Sequence, residues 1–430
     1  MTSHTKPRPG STRRFALAAG VVAVPLLALS PGIAAAATST YTWSGTDAAA
    51  GSNSNWSDPG NWTGNTAPAS GTTVNLDFPS LACGTSACGN SAANDLTGLN
   101  VANFDLALTT QDSGPAYDFT GNGIEIGTLD ITSATPTGVG GQGANITVPL
   151  ALAGSELWSI DSEDNSNVNL GAVTAKKTDS LTVDLPVANG DNGGGFVGVP
   201  SFETGPLTFQ GYVGDDSSYV TGATGYNAKT HEPVVFDQTA LFETGPSGTT
   251  AKAVTVKYAP LTISNSTVYF GNGYNGPYGI DSVSGNASMD SGTNLNYNSL
   301  DPGVGKKPVA GVTYPELKAT GSVSLGSANL GLFAGCTQKL GTVYTLVKAG
   351  SVTGTFQNIS DGTIIQPNTD GAPSCTSGSA PYLRINYGTS TVTATVVAPP
   401  PAAVRLHAAP TTTFLVPHLD GQSVQLVKEG

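Results

Sequence analysis

Short apolar segments recur along most of this chain, and turn residues separate one segment from the next. Within most segments apolar and polar residues alternate, which is the pattern of a β-strand with one buried face. The clearest examples are residues 124–126, 146–148, 157–160, 168–170 and 181–183. Helical spacing of apolar residues is absent between residues 124 and 397. The sequence therefore predicts an all-β fold.

The spacing of these segments, their number and the turns between them bear on the choice between two architectures. From residue 146 onward they start 11 to 13 residues apart, which occurs in both antiparallel sandwiches and solenoids. They continue for roughly 270 residues without a linker, and Gly-, Asn- and Ser-rich turns suit coils that stack on one another. With two strands per coil, a coil would take roughly 22 to 25 residues. We predict a parallel β-helix, with a tandem β-sandwich as the alternative.

Three tryptophans, Trp43, Trp56 and Trp62, lie near the start of the predicted β-helix among Asn, Ser, Gly and Pro residues. A solenoid presents an open sheet edge at each end, so it needs a cap that prevents edge-to-edge pairing. We predict that residues 38–80 form this N-terminal cap, with the three rings covering the first coil. The alternative is that the rings form a ligand surface that stacks on sugars.

The first 37 residues have the layout of a secretory signal. A basic start, which includes Arg13 and Arg14, precedes an apolar run at 15–29 and three alanines at 35–37. We therefore expect residues 1–37 to be removed as a signal peptide, and the mature protein to be secreted, extracellular or at the cell surface. Export by the general route or by the twin-arginine route stays open.

A proline-rich stretch marks the other end of the strand pattern. The sequence Ala-Pro-Pro-Pro at 398–401 is typical of a stiff spacer. The predicted solenoid body thus spans 81–397, and 398–430 form a spacer with a loosely ordered tail. The apolar patch at 414–416 is too short to cross a bilayer, and we expect no transmembrane segment in the mature chain.

The charge of the chain excludes some partners. The net charge is −13, and it becomes −17 without the first 37 residues, which hold four basic and no acidic side chains. Phosphate backbones and anionic membranes attract clustered Lys and Arg, and the predicted mature chain has only scattered ones. We expect no nucleic-acid partner. Charged residues make up only 11% of the chain and glycine is abundant, which favours short strands and tight turns over helices.

Four cysteines follow the predicted signal peptide: Cys83, Cys88, Cys336 and Cys375. Export into an oxidising space favours disulfides. Proximity in the sequence suggests Cys83 with Cys88 and Cys336 with Cys375. These spacings match no zinc pattern, so we predict neither a metal site nor a cofactor.

Motifs at both ends of the predicted body carry a family resemblance. They are Tyr-Thr-Trp-Ser-Gly at 41–45, Asn-Trp-Ser-Asp-Pro-Gly-Asn-Trp at 55–62, Gly-Thr-Val-Tyr-Thr-Leu-Val-Lys-Ala at 341–349, Gly-Thr-Phe at 354–356, Tyr-Leu-Arg-Ile-Asn-Tyr at 382–387 and Val-Thr-Ala-Thr-Val at 392–396. Together they resemble the passenger domains of autotransporter-like surface proteins and related exported bacterial β-helix proteins. The resemblance implies a right-handed β-helix with adhesive or structural functions, and it implies that the last motifs form its closing coils.

Candidate catalytic residues are sparse. Asp161 and Glu163 would share one face of a strand, where they could bind calcium or act as an acid–base pair. A solvated acidic turn is the interpretation that we favour for them, and His231 is a lone histidine in an apparent loop. We expect a non-enzymatic protein with an adhesive or structural role and with envelope or extracellular glycans or proteins as partners. The alternatives are a polysaccharide lyase or hydrolase and a glycan-binding module.

Overall fold

A computed structural model gives the fold of the protein. It describes residues 38–81, 89–108, 117–133, 143–160, 167–185, 196–199, 202–203, 205–211, 219–222, 234–237, 240–242, 254–258, 260–270, 279–297, 300, 307–335, 338–368 and 381–400. The predicted signal peptide, the four cysteines and the chain beyond residue 400 lie outside these ranges.

The described residues are almost entirely strands and turns. A short helix, α1 (Thr46–Ala49), and a 3-10 turn at Pro59–Asn61 lie near the N-terminal end. In the first half the strands are β1 (Ser39–Thr42), β2 (Thr73–Phe78), β3 (Ser91–Asn94), β4 (Asn100–Leu108), β5 (Tyr117–Gly121), β6 (Ile124–Ser133), β7 (Ala144–Ile146), β8 (Leu150–Leu152), β9 (Glu156–Ile160), β10 (Asn167–Leu170), β11 (Val173–Thr174), β12 (Leu181–Leu185), β13 (Phe196–Val199), β14 (Phe202–Glu203), β15 (Leu207–Gly211) and β16 (Tyr219–Gly222). In the second half they are β17 (Val234–Asp237), β18 (Ala240–Phe242), β19 (Val254–Tyr258), β20 (Leu261–Ser264), β21 (Thr267–Phe270), β22 (Gly279–Val283), β23 (Ala287–Met289), β24 (Asn294–Tyr297), β25 (Glu316–Ala319), β26 (Ser322–Ser324), β27 (Asn329–Leu332), β28 (Val343–Lys348), β29 (Ser351–Thr353), β30 (Ile364–Ile365), β31 (Tyr382–Tyr387) and β32 (Thr391–Val397).

These strands pair in three sheets. The first sheet runs β1-β2-β4-β6-β9-β12-β15-β17-β20-β23-β26-β29, with β8, β11 and β14 in a side ladder. The second runs β27-β24-β21-β18-β16-β13-β10-β7-β5-β3, and the third runs β19-β22-β25-β28-β32-β31-β30. Except for the antiparallel pairs among β28, β30, β31 and β32, the described strands pair in parallel. The predicted parallel β-helix is confirmed, and the tandem-sandwich alternative is wrong, because a sandwich is built from antiparallel sheets.

Coil length varies around the predicted 22 to 25 residues, and Ala144, for example, is in register with Val168, 24 residues later. Leu207 is in register with Val234, and Val234 is in register with Leu261, so this part of the chain returns to the same place every 27 residues. Many coils also contribute a third strand: β8, β11 and β14 in the first half, and β19, β22 and β25 in the second.

Inward-facing side chains stack along the axis to form one continuous core. In the first sheet Val183, Phe209, Phe236 and Ile263 occupy the same register position on successive coils, and all four are buried. The rings of Phe209 and Phe236 are nearly parallel, 5.3 Å apart at 8°. Alternate residues such as Thr208 point outward, as the period of two requires. Burial of the apolar row is what aligns each coil on the one before.

The N-terminal edge of the first sheet is covered by the chain itself. Strand β1 pairs with β2 on one side. On its other side, Thr63 N–H donates to the Thr42 carbonyl, Ser44 N–H donates to the Asn61 carbonyl, and an antiparallel bridge joins Trp43 to Trp62. The stack thus already includes β1 and β2, which lie within the predicted cap at residues 38–80. Residues 43–72 fold over them as an insertion.

The C-terminal motifs form an antiparallel unit, whereas the resemblance implied further closing coils. Strands β31 and β32 make a hairpin, β32 also pairs with β28, and β30 pairs with β31. The expectation of parallel coils to residue 397 is therefore wrong for these strands. The alternation in the sequence predicted strands correctly, but it is the same in parallel and antiparallel sheets.

Candidate functional site

The outward face of the first sheet carries a line of aspartates near its N-terminal end. Asp77, Asp105 and Asp130 occupy the same register position on β2, β4 and β6, and we call them the aspartate row. Neighbouring positions in a parallel ladder are about 4.8 Å apart. The position continues through Ser159, Asp184, Gln210 and Asp237 on later coils. Carboxylates are therefore set at the spacing of the coils along this face.

Electrostatic repulsion within the row is visible at its middle member. Partial burial raises the pKa of the Asp105 carboxyl, and the charges of Asp130 and Asp77 raise it further. Asp77 accepts a hydrogen bond of 3.1 Å from the Thr42 hydroxyl. Among the described residues, no three His, Cys, Asp or Glu side chains converge in an arrangement that could hold a metal ion. The row is a linear array of charge.

A groove of about 390 Å³ lies on the same face, beside the row. We call it the groove; its lining residues, contributed by successive coils, are Thr73, Asn100, Val101, Ala102, Glu125, Gly127, Thr128, Ala153 and Glu156. Thr128 lines the groove and Asp130, two residues later on β6, belongs to the aspartate row. Alternate residues of a strand share a face, so the groove and the row form one continuous surface.

Irregular strand pairing opens this groove. The register between β2 and β4 shifts at Val74/Asn75, which leaves Ala102 without an opposing residue. One coil later β6 pairs first with β8 and then with β9, so the sheet is interrupted around residues 153–155. A Cβ at Gly127 would lie 2.6 Å from the Ala102 carbonyl oxygen, and only glycine permits this approach. Bulges of this kind re-aim side chains on the sheet surface.

Two carboxylates, Glu125 and Glu156, face the groove. The backbone of each is held in the ladder, since Glu125 N–H donates to the Leu99 carbonyl and Glu156 N–H donates to the Ser180 carbonyl. Burial raises the pKa of the Glu156 carboxyl. Asn100, Thr73 and Thr128 add an amide and two hydroxyls, and Ala102, Gly127 and Ala153 add small residues. The groove is therefore rich in acceptors and carries negative charge at neutral pH.

The structure buries the three tryptophans of the predicted cap. Trp43, Trp56 and Trp62 are 0%, 0% and 1% exposed, and their rings lie 5.8, 5.8 and 6.0 Å from the ring of Phe78. The indole N–H of Trp43 donates to the Gly89 carbonyl at 2.8 Å. Rings enclosed in this way have no free face to stack on a sugar. Their burial argues against the ligand-surface alternative and accounts for them as packing over the first coil.

Other predicted candidates lie outside the described residues. They are the cysteines Cys83, Cys88, Cys336 and Cys375, the acidic pair Asp161 and Glu163, and His231. The two predicted disulfides remain predictions, and so does the solvated acidic turn at Asp161 and Glu163.

The aspartate row and the groove were missed from the sequence. A signal for the row exists: each of Asp77, Asp105, Asp130 and Asp184 is flanked by apolar residues on both sides, as in Leu-Asp-Phe and Phe-Asp-Leu. Recognising the row also requires knowing that residues 25 to 28 positions apart are in register. An aspartate between two apolar residues does not show which residues of other coils lie beside it.

No protein-family model matches this chain, and neither do any curated protein or any solved structure. The fold places it among the β-solenoids. Within the described part of the chain, neither helical segment has the length and apolar character needed to cross a membrane.

Proposed function

We propose that this protein is a secreted or cell-surface β-solenoid with an adhesive or structural role. The observation that carries the proposal is the parallel sheet from β1 to β29, which extends from coil to coil along the stack. A stack held together by neighbouring coils is a rigid, extended surface, and such surfaces suit binding to long partners. The signal-like residues 1–37 support a location outside the cell.

We also propose that the protein is not an enzyme. The observation that supports this proposal is that the three carboxylates of the aspartate row follow the ladder in a line. Polysaccharide-cleaving sites need an acid, a base or a nucleophile in defined positions around one bond. The competing proposal, a glycan-acting enzyme, would place such a set in the groove or at Asp161 and Glu163.

Cell fractionation combined with an activity screen tests the proposal. We expect the protein in the medium or wall fraction, with its N-terminus near residue 38, and no new reducing ends from a polysaccharide panel. Finding the protein in the cytoplasm would contradict the proposed secreted or cell-surface location. Cleavage that disappears in a Glu125→Gln/Glu156→Gln or Asp161→Asn/Glu163→Gln variant would contradict the non-enzymatic role.

A further inference from the structure

The groove has the volume of a small-ligand site. Its volume of about 390 Å³ falls within the range of about 300–1,000 Å³ typical of such sites. Four strands, β2, β4, β6 and β9, contribute lining residues, so the walls belong to a rigid sheet. Because the strand irregularities that open it are fixed by backbone pairing, the groove is part of the fold.

The lining determines which ligand chemistry fits. The side chains of Glu125 and Glu156 only accept hydrogen bonds when ionised, while Thr73, Asn100 and Thr128 can donate or accept. A ligand rich in hydroxyl or ammonium donors would satisfy them. The small side chains of Ala102 and Ala153 leave room for a bulky saturated ring, and no aromatic residue is among the lining residues.

The negative charge around the groove favours a ligand with a positive charge. Glu125, Glu156 and the adjacent aspartate row make this part of the face negative, so an acidic sugar or a phosphate would be repelled. A protonated amine would be attracted and could form charge-assisted hydrogen bonds with the two glutamates. The hydroxyls of a sugar would meet Thr73, Asn100 and Thr128, which an alkyl polyamine would leave unpaired.

From these observations we infer that the groove binds a protonated amino sugar, as a free unit or within a polysaccharide chain. This inference rests on the proposed function in one respect: a secreted protein would meet such a ligand outside the cell. The ability to bind the ligand is inferred from the residues that line the groove.

Calorimetric titration of the purified full-length protein with a β-linked glucosamine tetramer tests the inference. We expect saturable binding that weakens at least tenfold in a Glu125→Gln/Glu156→Gln variant, which keeps the shape of both side chains. Asp237→Asn is the matched control, because it removes a carboxylate from the same face several coils away, and it should leave the affinity within twofold. Thr128→Val should weaken the tetramer several-fold, with circular dichroism confirming the fold of every variant.

Three comparison ligands test which chemical groups the groove recognises. The N-acetylated tetramer, a galacturonate tetramer and spermidine should each bind at least tenfold more weakly than the glucosamine tetramer. Absence of binding, unchanged affinity in the double glutamate variant, or an equal loss in Asp237→Asn would overturn the inference, as would spermidine binding as tightly. Binding accompanied by cleavage, followed by mass spectrometry, would support the inference and contradict only the non-enzymatic proposal.

Discussion

At the scale of single residues, the register of a β-helix places each outward side chain beside the residues at the same position on the coils above and below. Amides benefit from this arrangement: Asn103 donates to Asn75 at 3.1 Å, and Asn169 donates to Asn145 at 2.9 Å. Carboxylates do not, since Asp77, Asp105 and Asp130 repel one another at the same spacing. Three like charges set at this spacing cost stability, whereas amides at the same spacing form hydrogen bonds.

Replacing Asp105 by Asn should stabilise the protein at pH 7 by about 0.5–1 kcal/mol, since directly opposed like charges are destabilising by such amounts. The pKa of Asp105 is raised in the folded state. As the pH falls, the folded protein therefore takes up this proton before the unfolded chain does, and the repulsion is relieved. The gain from Asp105→Asn should shrink as the pH is lowered towards the carboxyl range.

Denaturant unfolding at several pH values measures this effect. Asp184→Asn is the control, because its neighbours in register are the uncharged Ser159 and Gln210, and it should change stability much less. A pH-independent gain, or an equal gain in the control, would contradict the repulsion argument.

At the scale of elements, the sequence predicted the strands and their parallel stacking, but not where the pairing departs from it. Alternation located β9, β10 and β12 within a residue or two because burial of one face is a local property. It did not distinguish the antiparallel β31–β32 hairpin from a further coil, and it did not reveal the bulge at Ala102. Both depend on which strand lies alongside, and that is decided by packing between residues distant in the sequence.

The inward and outward positions of β17 should differ sharply in their tolerance of substitution. Phe236 is buried between coils, and Phe236→Ala should destabilise the protein by about 3–5 kcal/mol through lost burial and a residual cavity. Val235, its neighbour on the strand, is only partly buried, and Val235→Ala should cost about 1 kcal/mol or less. Unfolding midpoints followed by tryptophan fluorescence compare the two. Equal losses would show that this strand does not pack as described.

At the scale of the whole molecule, both ends of the stack are closed by pairing within the chain. Residues 61–63 bond to β1 at one end, and β32 pairs with β28 near the other. An exposed strand edge is a template for another chain, so these contacts keep a long parallel sheet from associating end to end. The large negative net charge adds repulsion between molecules.

Deleting β31 and β32, residues 382–397, should convert the protein to dimers or larger aggregates. The deletion removes the partner of β28 and exposes buried residues of the C-terminal core such as Tyr344 and Leu346. Size-exclusion chromatography with light scattering measures the change, and a chain ending at Pro400, which keeps both strands, serves as control. A deletion variant that stays monomeric would contradict the prediction that β32 prevents β28 from pairing with another chain.

The 27-residue return of the chain between β15 and β20 has an evolutionary consequence. Because each coil contacts chiefly its immediate neighbours, an ancestral gene could gain or lose one such segment by unequal recombination without disturbing distant ones. Every such event would change the length of the protein by one step of about 4.8 Å. Related chains would then differ in the length of the stack by whole coils, while the residues that close its two ends stayed the same.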